Sequence, residues 1–514
     1  MLPSRIARKI IIGISCPPFA FEASRPAAQK SGTDLEKTKG RAVMTATSRL
    51  PAWARPKDIA DLIRLSVPIA VSRMAMMLMG LTDAIVLGQY APGELAYVLS
   101  AWLPISISLG FGVGILLGIQ VLTSELLGTG REAGSGRVFR RGLWWAVVMG
   151  AVLTAVLLPI SDPFFHWVFV TIAPASDAPS AVTPEIVASS TASVTRILAL
   201  GLAGHMISQA CSYYLEALRR PLLVTVVMYV GVVINLFANL ALVAGWWGFP
   251  QMGAEGVAWA TTGTRWLITI VLLIFVATLT PAFRRSPPAE KGESRRQLAV
   301  GVGTAISNIA EYGGFNITFI IATWVSIAAN AVYGYSVQVI GVCFMFYLGI
   351  ATATSVRVAE AIGRGSQEEV RNAGRLGVAA TFVMGIILGV LLVLLSGPIS
   401  RLLVREDAVI GGIAIAPAIA ALLWLAAAVT VFDGLQATAS FALRAQGMVW
   451  LPSAIHISSF FLVMIPVCYW LAITLGRGAA GVLEGAFIAV FVAGMAQFIL
   501  LEWKAARPDV ERAA

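Results

Sequence analysis

Charged residues are scarce in this chain of 514 residues. Asp, Glu, Lys and Arg make up 12% of the sequence, whereas soluble domains carry about 25%. So few charges cannot cover a surface that faces water on all sides, and 58% of the residues are hydrophobic. The composition therefore excludes an ordinary soluble enzyme and indicates a polytopic membrane protein.

Metal-binding and nucleophilic patterns are also missing. The four cysteines are widely separated: Cys16, Cys211, Cys343 and Cys468. The three histidines are equally scattered: His166, His205 and His456. Without CxxC or HExxH, a zinc site or a disulfide framework has no support. No DxxxD metal motif or nucleophile with a base lies near the spans, and no glycine-rich nucleotide loop follows a strand. We expect neither an enzyme nor a bound cofactor.

Long hydrophobic runs fill the chain after residue 57. A bilayer-spanning helix needs about 20 apolar residues. We identify twelve such runs, at 61–87, 95–124, 142–161, 192–216, 222–245, 256–280, 299–326, 331–356, 376–399, 412–442, 450–475 and 480–503. The predicted fold class is an all-α polytopic membrane protein with about twelve transmembrane helices.

The net charge of +10 reflects topology, because most of the 37 lysines and arginines lie in the N-terminal stretch, in every second loop and at the C-terminus. We assign Arg357 and Arg444 to these loops. Cytoplasmic loops carry the positive excess, so both termini are expected in the cytoplasm. We expect contact with a lipid bilayer and with no nucleic acid.

The chain divides at changes in composition. The predicted parts are a basic tail at 1–57, an N-lobe at 58–280, a cytoplasmic linker at 281–297, a C-lobe at 298–503 and a cytoplasmic tail at 504–514. The first tail is read as disordered or as an over-extended start with Met44 as the initiator, and a cleaved signal peptide is the alternative.

Matching motifs indicate that the two lobes arose by duplication. Glu125-Leu-Leu-Gly128 ends the second span and Glu360-Ala-Ile-Gly363 ends the eighth. Ala217-Leu218-Arg219 and Ala442-Leu443-Arg444 likewise end the fourth and tenth spans. Two matched pairs in the same order predict two six-helix lobes related by a pseudo-two-fold axis along the membrane normal.

Three acids stand out within the predicted spans: Asp83, Glu311 and Asp433. A charged side chain in the hydrocarbon costs about 2.5–3.5 kcal/mol even on lenient scales, so each acid is a candidate functional residue. Burial disfavours the charged carboxylate and a bound cation favours it, which suits a site for Na⁺, H⁺ or a cationic substrate. The alternative is that these acids form fixed ion pairs with arginines in or beside the spans: Arg73, Arg196 and Arg265.

Asn235 and Asn239 lie four residues apart on one face of the fifth span. Their amide oxygens can bind a cation or hydrogen-bond a protonated acid, with Asp83 and Thr261 as the expected partners in the same lobe. Simple interhelical hydrogen bonding is the alternative.

Further candidates follow from position alone. Four aromatic residues near the acids could hold a flat cation: Tyr312, Phe315, Phe432 and Trp102. Pro68 and Pro104 interrupt helical hydrogen bonding in the first two spans and are hinge candidates.

Several segments together resemble the multidrug and toxic compound extrusion (MATE) family, in its NorM-type bacterial branch. They are LIRLSVPIAVSRMAMMLMGLTDAIVLG, AWLPISISLGFGVGILL, the asparagines of span five, NIAEYGGF, TSVRVAEAIGRG and FDGLQATASFALRAQG. The resemblance covers nearly all of 58–503.

The resemblance implies an antiporter of the bacterial inner membrane that exports cationic or amphiphilic drugs in exchange for Na⁺ or H⁺. It associates Glu311 and Asp433 with cation coupling, and Asp83 and the two asparagines with an N-lobe polar network. Na⁺ at these acids is the only metal expected, and we expect a monomer. Arg73 and Arg265 depart from the pattern, and they keep open a rival function as a lipid or lipid-linked oligosaccharide flippase.

Overall fold

The computed structural model describes residues 54–172, 183–405 and 407–506 of the chain. Apolar runs dominate this part, and each forms a helix because only internally hydrogen-bonded segments satisfy the backbone within lipid. The twelve long helices are α1 (Pro56–Tyr90), α2 (Leu95–Gly128), α3 (Ser135–His166), α4 (Pro184–Ala217), α5 (Pro221–Leu242), α6 (Gly253–Leu279), α7 (Glu293–Val325), α8 (Ile327–Gly363), α9 (Gln367–Leu394), α10 (Ile415–Ala445), α11 (Trp450–Thr474) and α12 (Gly478–Ala506).

Among the described residues, 11 of these helices are both long and apolar enough to cross a membrane. The exception is α7, whose 33 residues still suffice for a span. Polar side chains such as Asn308, Glu311 and Asn316 lower its hydropathy. The least apolar helix is therefore the one that carries a predicted functional acid.

Several helices are interrupted. Gly201 separates Pro184–Leu200 from Leu202–Ala217 within α4, and α3 continues into a π-helical turn, Trp167–Ile172. Two further π-helical turns, Ser458–Met464 and Trp470–Thr474, lie in α11. Such turns bend a helix locally.

Some predicted boundaries are wrong by a few residues. A short antiparallel hairpin pairs Val409–Ile410 with Ile413–Ala414, so the tenth span begins at Ile415 and not at residue 412. A separate short helix, Ser396–Leu403, follows α9. The predicted linker at 281–297 is helical from Glu293 onwards. The predicted tail at 1–57 lies outside the described residues up to residue 53, and the C-terminal tail does so from residue 507.

The two lobes repeat the same packing. In the first lobe α1 packs on α5, α2 on α3 and α4, α3 on α4, and α6 on α4 and α5. In the second lobe α7 packs on α11, α8 on α9 and α10, α9 on α10, and α12 on α10 and α11. Each contact recurs when six is added to both helix numbers. The prediction of twelve helices in two pseudo-symmetric lobes is confirmed.

Small residues bring the lobes together. Helix α7 packs on α2, and α1 packs on α8. A Cβ atom at Gly114 would overlap the backbone of Ala305, and one at Gly349 would overlap Ala70. These two contacts are pseudo-symmetry equivalents, and both require glycine for close helix approach.

Ion pairs join the lobes at the end where α2 and α8 terminate. Arg219 donates to Glu360 at 2.6 Å and to Asp61 at 2.6 Å, and Arg357 donates to Asp58 at 2.7 Å. Arg357 was assigned to a loop, but it lies inside α8 and is 8% exposed. We call this set, with Arg296–Glu125 at 2.8 Å, the inter-lobe ion-pair network.

Candidate functional site

Asp83 lies buried on α1 at the centre of an N-lobe hydrogen-bond network. Asn239 donates to its Oδ1 atom at 2.6 Å, and Thr261 donates to its Oδ2 atom at 2.9 Å. The same amide of Asn239 also donates to Asn235 at 3.1 Å. The structure therefore brings together all four residues that the sequence grouped, on α1, α5 and α6. The Oδ1 atom of Asn239 and the Nδ2 atom of Asn235 have no partner among the described residues.

A small pocket opens beside Asp83. It is lined by residues from α1, α2, α4, α5 and α6, namely Met76, Met79, Gly80, Asp83, Trp102, His205, Ser208, Met228, Thr261, Arg265 and Ile268. The Arg265 guanidinium lies over the Trp102 ring, 5.4 Å from its centroid. Methionine and tryptophan give the pocket an adaptable apolar wall, into which one carboxylate (Asp83), one guanidinium (Arg265) and one imidazole (His205) are set.

Arg73 does not pair with any of the three predicted acids. It donates to Glu216 at 3.0 Å and to Gln209 at 3.0 Å, and it lies over the Tyr213 ring. Glu216, which is 0% exposed, was missed because it ends the predicted span 192–216, where an acid is readily taken as interfacial. Arg196 pairs with Asp162 at 2.7 Å, and both are substantially exposed. Fixed pairing of the predicted acids with Arg73 or Arg196 is thus wrong.

The C-lobe holds Glu311 on α7 and Asp433 on α10. Asp433 is buried and accepts a hydrogen bond from Gln436 at 2.7 Å, one turn along the same helix. Glu311 is half-buried, and the two carboxylates repel each other electrostatically. A cation or proton between them would relieve this repulsion.

Arg444 is the largest fully buried side chain among the described residues, at 1% exposed. Its assignment to a cytoplasmic loop is wrong, because α10 continues to Ala445 and the α7 helix covers the side chain. Arg444 donates to Ser307 at 2.6 Å, one turn from Glu311 on α7, and it attracts Glu311 electrostatically. Its Nε atom has no hydrogen-bond partner among the described residues, and neither ring nitrogen of the neighbouring buried His456 has one.

The candidate aromatics and prolines have different surroundings. Trp102 lines the pocket, and Tyr312 is 44% exposed beside Glu311. Phe315 packs on Phe460, and Phe432 packs on two phenylalanines of α12, so both are partly buried against the apolar core. Both α1 and α2 remain helical through Pro68 and Pro104, so the hinge role stays a prediction.

The buried charges differ between the lobes. In the N-lobe interior Arg73 balances Glu216, and Arg265 balances Asp83. In the C-lobe interior Arg444 attracts Glu311, which is also within electrostatic range of Asp433. With all three groups ionised, this set has one uncompensated negative charge. In the described part of the chain, no three His, Cys, Asp or Glu side chains come together as ligands for a metal ion.

Solved structures share this fold. An outward-facing multidrug resistance MATE family transporter of the MOP superfamily superposes with a TM-score of 0.77 at 17% identity, covering 87% of this chain and 96% of that one. The eukaryotic MATE transporter AtDTX14 gives a TM-score of 0.75 at 15% identity, covering 87% and 97%. The fold thus defines a multi-pass membrane protein with the two-lobe architecture of these transporters.

Sequence comparison identifies the family. The MatE family model matches twice, at residues 68–241 and 304–470, once in each lobe. The chain is 34% identical to a probable multidrug resistance protein NorM of Caulobacter vibrioides over 87% of this chain and 92% of that protein. It is 27% identical to the multidrug resistance protein PmpM of Pseudomonas aeruginosa over 81% and 84%. The chain belongs to the MatE family.

Proposed function

We propose that this protein is a secondary active multidrug efflux transporter that exchanges cationic or amphiphilic compounds for Na⁺ or H⁺. The observation that carries the proposal is the grouping of two acids, Glu311 and Asp433, with one arginine, Arg444, in the C-lobe interior, which leaves one uncompensated negative charge when all three are ionised. An isolated charge is expensive in a membrane interior, so an incoming monovalent cation would be bound there. The multidrug resistance names of the NorM and PmpM relatives support drugs as the exported substrates.

Coupling would operate by alternating access. In this scheme the inter-lobe ion-pair network and the glycine contacts would close one end of the protein. Cation binding at Glu311 and Asp433, or at Asp83 with Asn235, Asn239 and Thr261, would compete with bound drug. Rocking of the lobes would then break the network, open the end that it closes and close the opposite end.

The location would be the bacterial inner membrane, with a monomer as the working unit. The positive-inside rule would put the closed end and both termini in the cytoplasm. Arg219, Arg296 and Arg357 of the inter-lobe ion-pair network lie at that end.

A flippase for pyrophosphate-linked lipids would need a cationic cavity. Arg73 is neutralised by Glu216, and Arg265 is balanced by Asp83. The interior charges of the two lobes do not sum to a positive value. Their balance favours drug export over this rival.

Transport by the purified protein in proteoliposomes tests the proposal. Ethidium efflux is followed by fluorescence under a pH gradient or a sodium gradient, each imposed separately, with protein-free vesicles as the control. Transport driven by one gradient would establish antiport and identify the coupling ion. No response to either gradient across several cationic dyes would reject the drug-export function.

A further inference from the structure

Arg265 lies in the N-lobe pocket, and not all of its donor atoms have a hydrogen-bond partner there. Both oxygens of Asp83 are bound by Asn239 and Thr261. The Nη1 atom of Arg265 has no hydrogen-bond partner in the described part of the chain, although the side chain is only 7% exposed. A buried donor without a partner is destabilising, and more so when it is charged. The site is therefore incomplete as it stands.

The orientation of Arg265 is fixed from two sides. Thr261 lies one turn before it on α6, so both side chains face the pocket. The Cζ atom of Arg265 lies over the Trp102 ring of α2, 5.4 Å from the ring centroid. The unpartnered Nη1 atom can donate a charge-assisted hydrogen bond to a carboxylate.

The size of the pocket limits what can bind. Its volume is about 60 Å³, whereas drug-sized sites measure roughly 300–1,000 Å³. The pocket has room for a head group of a few heavy atoms. The apolar remainder of a ligand would extend along the adjacent methionine side chains, Met76 and Met79.

We propose that Arg265, held over the Trp102 ring, forms a subsite for the carboxylate of an amphiphilic substrate. The N-lobe pocket then accepts zwitterions, with the carboxylate on Arg265 and the cationic group near Asp83. This inference rests on the proposed function and names a substrate class within it. Because Arg265 and Asp83 balance each other, the pocket does not favour a simple cation over a zwitterion.

A matched pair of dyes tests the subsite. Rhodamine B carries a free carboxylate, and its ethyl ester is the same cation without it. Initial transport rates of both dyes are measured in proteoliposomes under the driving gradient, for the wild type and for Arg265→Gln, Arg265→Lys and Arg196→Gln. The readout is the ratio of the acid rate to the ester rate. This ratio is insensitive to differences in the amount of folded protein.

We expect the wild type to transport both dyes and Arg265→Gln to lower the acid-to-ester ratio about tenfold, as expected for loss of one charge-assisted hydrogen-bond pair. Arg265→Lys keeps the charge but lacks the planar guanidinium group. Its acid-to-ester ratio should therefore fall between the ratios of the wild type and Arg265→Gln. Arg196, paired with Asp162 at the surface of the same lobe, is the control, and its variant should keep the wild-type ratio.

Three results would overturn the proposal. An unchanged ratio in Arg265→Gln, even with both rates reduced, would make Arg265 a counter-ion of Asp83 only. Wild-type transport of the ester without the acid would reject the subsite but leave drug export intact. Transport of neither dye under either gradient would reject the proposed function itself. If Arg265→Gln fails to give a monodisperse protein, Arg265→Lys provides the test, and an acid-to-ester ratio equal to that of the wild type would then overturn the proposal.

Discussion

Gly128 and Gly363 lie at corresponding ends of α2 and α8, and each packs against the backbone of the other helix. A Cβ atom on Gly128 would overlap the carbonyl of Glu360, and one on Gly363 would overlap the carbonyl of Glu125. This reciprocal contact follows from the pseudo-two-fold axis. It lets the two helices meet without side chains between them, beside the inter-lobe ion-pair network.

Gly363→Ala should destabilise this closed end. The added methyl group would meet backbone, which cannot rotate away, so the helices must separate at a cost of about 1–3 kcal/mol. We expect a lower melting temperature in detergent and slower ethidium efflux. Gly128→Ala should have the same two effects, because Gly128 is the pseudo-symmetry equivalent of Gly363.

Gly389→Ala is the matched control for the glycine variants. A Cβ atom at Gly389, within α9, would lie 3.8 Å from Ala427, which is an ordinary contact. This change should be neutral, or stabilising by up to about 1 kcal/mol from helix propensity. Equal melting temperatures for Gly363→Ala and Gly389→Ala would show that the close contact contributes nothing.

Arg219→Ala should loosen the inter-lobe ion-pair network. Hydrogen bonds to Glu360 raise the pKa of Arg219 above its usual value, so it stays charged at every physiological pH. Its removal leaves Glu360, which is 3% exposed, with the more distant Arg364 at 3.7 Å. Hydrogen–deuterium exchange should rise at the ends of α2 and α8.

Arg131→Ala is the comparison for Arg219. Arg131 pairs with Glu290, but both side chains are more than half exposed, so the pair is worth about 0–1 kcal/mol. Exchange at the ends of α2 and α8 should match the wild type. If Arg219→Ala gave the same exchange pattern as Arg131→Ala, the network would not hold the lobes together.

The sequence predicts the helices and the N-lobe network well for a simple reason. Lipid forces apolar runs to be helical, and Asn235 and Asn239 share a face through local periodicity alone. Their meeting with Asp83 and Thr261 needs only that polar groups within a span find partners. Such constraints are readable from composition and spacing.

The partners at helix ends could not be predicted in the same way. Arg444 and Arg357 lie past the most apolar part of their helices, where a charge is typical of a cytoplasmic loop. Their burial comes from helices of remote sequence, α7 over Arg444 and α1 beside Arg357. The repeat of Ala-Leu-Arg at 217–219 and 442–444 was a signal of equivalence, but the two arginines have different surroundings.

Arg73→Met should be among the most damaging substitutions in the N-lobe. It leaves Glu216, which is fully buried, without its counter-ion, and breaking a buried pair from one side costs about 3–5 kcal/mol. Adding Glu216→Leu should recover much of the lost stability, because two apolar groups leave no isolated charge. Thermal unfolding of the two single variants and the double variant measures the coupling; purely additive losses would contradict it.

The charge count in the C-lobe makes the sharpest test of coupling. Glu311→Gln or Asp433→Asn removes the uncompensated negative charge, so either variant should be expressed but lose stimulation of efflux by the coupling ion.

Arg444→Gln has the opposite effect on the charge of this set, because it leaves two negative charges. The Hill coefficient for the cation should then rise from about 1 towards 2, with half-saturation at a lower concentration. Combining Arg444→Gln with Glu311→Gln restores one negative charge and should return the coefficient to about 1. Initial rates of ethidium efflux against Na⁺ or H⁺ concentration provide these values. Wild-type cation dependence in Arg444→Gln, or normal drug export by Glu311→Gln, would show that the buried charge balance does not set the coupling.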